Sequence, residues 1–67
     1  MAITIDDKIA ALRREIGMRY RVYPKRVADR RMTQADADRQ IAIAEAILQD
    51  YVTEKARRSA TQTALDL

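Results

Sequence analysis

The sequence predicts an all-α protein: a two-helix antiparallel hairpin that dimerises into a four-helix arrangement. Three observations carry this. Apolar residues recur at steps of three and four along two stretches of equal length. Each stretch opens on a threonine with an aspartate three residues later. Glycine and proline occur once each in 67 residues, too rarely for the many turns of a sandwich or barrel.

The first helix is expected over about residues 5–28, after a frayed Met1–Ile3. Thr4 is the N-cap, with Asp7 as the acid of a capping box, and Asp6 and Asp7 both suit the helix dipole. Ile5, Ile9, Leu12, Ile16, Tyr20, Tyr23 and Val27 then form one stripe. Its period is close to 3.67 residues, which keeps the stripe on one face of a nearly straight helix. Ala11, Met18 and Val22 form a weaker second flank. Gly17 either marks a close approach of another backbone or is simply tolerated, at a cost of up to about 1 kcal/mol against alanine. Pro24 interrupts the pattern. Either the helix kinks near Pro24 and runs on for another turn, because Val27 keeps the stripe, or it stops at Tyr23 and a short turn follows.

Residues 28–32 connect the helices. Thr33 with Asp36 is read as the stronger of the two start signals, for a second helix over about residues 34–57. Equal helices of about 36 Å joined by a short link predict an antiparallel hairpin over residues 1–58. The run Ser59-Ala60-Thr61-Gln62-Thr63 is polar and unpatterned, and residues 59–67 are expected to be a disordered tail.

The second helix is apolar on more than one side. Ala37, Ile41, Ala44, Leu48 and Val52 share a stripe that the first helix can cover. Ile43 and Ile47 fall nearly opposite, and Tyr51 between. Each large aliphatic side chain left in water forgoes roughly 1.5–3 kcal/mol, so a second copy is expected there. Ile43, Ile47, Tyr51, Met18 and Val22 are the candidate dimer interface. A chain this short needs some such staple, and without cysteine it is not a disulfide.

Several functions are argued against. Cysteine and histidine are both absent, which disfavours zinc and haem sites. Serine occurs once, at Ser59, with no histidine base and no glycine-rich phosphate loop. Asp36 and Asp38 point about 200° apart on a helix. No catalytic, cofactor-binding or metal-ligating residue is expected, no cofactor, and no enzyme. No apolar run approaches a membrane span, and no signal region opens the chain. The expected location is cytoplasmic.

Charge is unevenly placed. Residues 13–31 hold eight basic side chains against Glu15 and Asp29, a net +6, whereas residues 32–67 carry a net −2. Arg14, Arg21 and Lys25 fall on one outward side of the first helix. That side is either a surface for nucleic acid or an acidic partner, or a solvated face balanced by acids elsewhere. Arg19 can pair with Glu45 of the facing helix or serve a partner. Around the proline, Arg21, Lys25 and Arg26 point outward while Tyr20, Tyr23 and Val27 pack inside. Arginine and tyrosine are favoured at binding hot spots. Arg19, Arg21, Tyr23, Lys25, Arg26 and Arg30 are therefore the candidate partner-binding residues.

The runs Arg21-Val22-Tyr23-Pro24, Met32-Thr33-Gln34 and Ala37-Asp38-Arg39-Gln40-Ile41-Ala42 carry a resemblance. From about Ile5 to Tyr51 the chain resembles short helical-hairpin proteins of bacterial prophages and Mu-like transposable phages. More weakly, it is similar to a phage anti-quorum-sensing protein, a dimeric hairpin that blocks a host transcription regulator and a pilus motor. The resemblance implies a phage-encoded binding protein that inhibits a bacterial host protein in the host cytoplasm. The alternative is a small basic nucleic-acid-binding protein using the first helix. The resembling proteins often carry glycine in the connection, where this chain has Asp29-Arg30-Arg31.

Overall fold

The computed structural model describes residues 2–66, with side chains described as far as residue 60. Two helices, α1 (Ile5–Ala28) and α2 (Gln34–Asp66), pack as a hairpin. No strand occurs among the described residues. The expected all-α helical hairpin holds.

α1 begins at Thr4, whose backbone is extended. The Thr4 hydroxyl accepts from the Asp7 amide at 3.1 Å, and the Asp7 carboxylate accepts from the Thr4 amide at 3.0 Å. This closed capping box holds the Asp7 carboxyl below the usual carboxylate range, the bond from the Thr4 amide acting most. At α2 the Thr33 hydroxyl accepts from the Asp36 amide at 3.1 Å, and Asp36 does not return the bond. The sequence ranks these starts the other way round. The fuller cap is at Thr4, because a capping box needs both bonds.

α1 runs through Pro24 to Ala28 instead of stopping at Tyr23. The missing proline amide leaves only the Tyr20 carbonyl without its usual partner one turn on. The helix then ends in a Schellman motif. The Arg31 amide donates to the Arg26 carbonyl at 2.9 Å, and the Arg30 amide to the Val27 carbonyl at 3.1 Å. Arg30 sits at φ 60°, the left-handed region that glycine enters most easily.

α2 is longer than expected. It continues to Asp66, where an end near Arg57 and a disordered tail from residue 59 were predicted. Polarity misleads here, because residues 58–66 contain no glycine or proline and include Ala60 and Ala64, good helix formers. Glu54 also reinforces this part of the helix by accepting from Arg57 and Arg58 one turn on. The expectations for Met1 and Leu67 lie outside the described residues.

The core is thin. Ala37 and Ala44 are 2 % exposed, and Ile9 and Tyr23 are also buried. These small alanines let α1 approach α2 closely. Ile5, Leu12, Ile16, Val27, Ile41, Leu48 and Val52 keep the predicted stripes but are only half-buried. Tyr20 departs from its stripe: it is 57 % exposed. At 100° per residue it lies at the stripe's edge, and its hydroxyl donates to Glu45 of α2. Gly17 has nothing within 4 Å of where a Cβ would stand, so within the hairpin no backbone approaches it.

Candidate functional site

Polar contacts set the register of the two helices. Near the open end Lys55 pairs with Asp6 at 2.5 Å. Toward the tip Arg19 donates to the Gln40 carbonyl at 2.7 Å and to Glu15 at 2.9 Å. The Arg19–Glu45 pair, one of the two alternatives the sequence offers for Arg19, does not form; Tyr20 occupies Glu45. Hydrogen bonding to that carboxylate raises the Tyr20 phenol above its ordinary pKa.

The candidate partner-binding residues divide into two groups. Tyr23 is buried, with the guanidinium groups of Arg19 and Arg26 at 6.0 and 5.8 Å from its ring centre. Such stacking is a cation–π arrangement; Tyr23 is enclosed, Arg19 is half-buried and Arg26 lies exposed over the ring, outward as expected. Arg21, Lys25 and Arg30 are exposed, as are Arg14 and Arg31. Among the described residues none of these five has an acidic partner within ion-pair distance. They form a cationic ridge along α1 that reaches the hairpin tip.

The candidate dimer residues form a second surface. Ile43 and Ile47 are 40 and 41 % exposed, while Met18, Val22 and Tyr51 are half-buried. Ile47 does not lie opposite the hairpin contact, as the helical pattern suggests. It lines an open groove with Lys8, Ala11, Leu12, Glu15 and Tyr51. The Lys8 ammonium stands 5.8 Å from the Tyr51 ring centre. Met18 and Val22 lie within about 20° of Ala11 around α1, so all five candidates share one flank of the hairpin. Sequence reasoning missed Lys8 and Glu15, since a groove between two helices has no signal within either one.

The fold places the chain in the class of all-α helical hairpins with one apolar flank and one cationic ridge. No family model, no curated protein and no solved structure matches the chain. No helix among the described residues is long and apolar enough to cross a membrane.

Proposed function

We propose that this chain is a phage-encoded protein-binding module that engages and inhibits a bacterial host protein in the host cytoplasm, and that it works as a homodimer. The class of target, a transcription regulator, follows from the resemblance to phage hairpin proteins. The observation that carries the reading is the pairing of two unsatisfied surfaces. Ile43 and Ile47 leave an apolar flank half in water, and Arg21, Lys25 and Arg30 stand exposed at the other surface. Arginine and clustered apolar groups are what protein interfaces use. Arg19 and Tyr23 support the tip from within, and Arg26 covers the Tyr23 ring from the exposed side.

The test is capture of a host protein from bacterial lysate by the full chain and by a variant carrying Arg21→Ala, Lys25→Ala and Arg30→Ala. The variant should keep its helix content and lose the captured protein. Undiminished capture overturns the assignment of the tip. The second reading, a nucleic-acid-binding protein, is favoured by one observation: Arg14, Arg21 and Lys25 line one side of α1 without acidic partners among the described residues. Tight binding to a duplex that weakens steeply with salt supports that reading over the first.

A further inference from the structure

We infer that the occupant of the apolar flank is a second copy of this chain, turned end to end, with the two-fold axis crossing α2 at Ile47. This rests on the homodimer reading and adds its geometry. The argument begins from a palindrome in α2. Asp36, Gln40, Ile43, Ile47, Tyr51, Glu54 and Arg58 follow one another at steps of 4, 3, 4, 4, 3 and 4. All lie within about 40° of Ile47 around the helix. A two-fold axis at Ile47 therefore sets each residue of the seam against a residue of the other copy.

The chemistry of the pairs is complementary. Ile47 meets Ile47. Ile43 meets Tyr51. The Gln40 amide meets the Glu54 carboxylate, which within each chain also accepts from Arg57 and Arg58, and Asp36 meets the guanidinium of Arg58, whose Nε donates to Glu54, each twice by symmetry. α1 fits the same axis. Ile47 lies level with Leu12 and Glu15 in the groove, and Ala11 and Met18 straddle that level. End-to-end packing then seats the large Met18 against the small Ala11 of the other copy.

A different two-fold, parallel to the helices, would also bury the flank. It would bring the two tips together, and each tip belongs to a segment of net charge +6. Like charges set side by side oppose association. The end-to-end arrangement keeps the tips at opposite ends and leaves both cationic ridges accessible. The area is sufficient. A face two helices wide and about 36 Å long offers on the order of 700 Å² per copy, near the ~800 Å² each partner buries in a standard interface.

The chain has no cysteine, so single cysteines report the geometry directly. An Ile47→Cys variant of the full chain, oxidised mildly at a concentration where sedimentation equilibrium shows a dimer, should cross-link to a covalent dimer. Ile43→Cys alone should not, whereas a mixture of Ile43→Cys and Tyr51→Cys chains should give the mixed dimer. Charge reversal gives an independent reading that leaves the apolar seam intact. Asp36→Arg or Arg58→Asp alone should weaken the dimer at least ~fivefold, and the two together in one chain should restore it. A dimer that fails to cross-link at position 47, or reversals that do not compensate, overturns the axis and leaves self-association standing. A wild-type chain that remains monomeric throughout the micromolar range overturns the axis and the homodimer reading together.

Discussion

The Arg30 amide donates to the Val27 carbonyl at 3.1 Å from a backbone held at φ 60°. This bond completes the turn that folds α2 back onto α1, and an arginine makes it at a position suited to glycine. A side chain in the left-handed region costs roughly 1–2 kcal/mol against the ordinary one. Replacing Arg30 by glycine should raise stability by about 0.5–1 kcal/mol, the relief of strain exceeding the added freedom of the unfolded chain. Replacing it by valine should lower stability by a comparable amount. Urea denaturation at fixed protein concentration measures both.

Gly17 lies in the exposed middle of α1 with open space around its Cα. It faces away from the Ala11 side, so the proposed dimer does not need it small. Gly17→Ala should stabilise by up to about 1 kcal/mol, through helix propensity and a less flexible unfolded chain. A thermal midpoint that falls would show that something packs on this position.

The two caps differ in a measurable way. Thr33→Ala and Thr4→Ala each remove one acceptor, whereas Asp7→Ala removes the bond its carboxylate accepts from the Thr4 amide and Asp36→Ala removes no such bond. Each threonine change should cost about 0.5–2 kcal/mol, and Asp7→Ala should cost more than Asp36→Ala. Equal shifts in denaturation midpoint for the two aspartate variants would mean that the Asp7 bond contributes nothing.

Ala44 is 2 % exposed at the contact between the helices. Ala44→Leu should force the helices apart and destabilise by roughly 1–3 kcal/mol, since a close-packed contact has no room for a larger side chain. The same change at Ala42, which is exposed, should be nearly neutral. The comparison separates packing from propensity, because leucine is a good helix former at either site.

Glu54 accepts hydrogen bonds from Arg57 and Arg58, and these hold its carboxyl down to about 2. A carboxylate lowered on folding adds stability that is fully present above its unfolded value and is lost as pH falls toward the folded one. The helicity of α2 should therefore decline between about pH 4.5 and pH 2. Glu54→Gln should remove that part of the acid transition. Circular dichroism along an acid titration reads the difference.

Much of the fold was legible because helices are written locally. The Thr4–Asp7 cap, the stripe from Ile5 to Val27 and the Thr33 start concern residues within a few positions of one another, where helix geometry alone decides who meets whom. Two local signals were ambiguous. Pro24 allowed either a continued helix or a stop, and α1 carries on because only one carbonyl loses its donor. The polar run after Arg57 suggested a tail, yet α2 continues to Asp66, because polarity does not break a helix that lacks glycine and proline.

What the sequence by itself determined is the helical hairpin and the existence of leftover apolar residues on α2. Both follow from the 100° turn per residue, which depends on nothing outside each helix. Which side chains are spoken for was decided only by the tertiary structure, because it depends on the relative rotation and register of the two helices. The rotation and register that the hairpin adopts send Tyr20 outward to Glu45, turn Arg19 to the Gln40 carbonyl and enclose Tyr23. The same rotation brings Ile47 beside Ala11 and Leu12, so that residues scattered over two helices become one continuous flank.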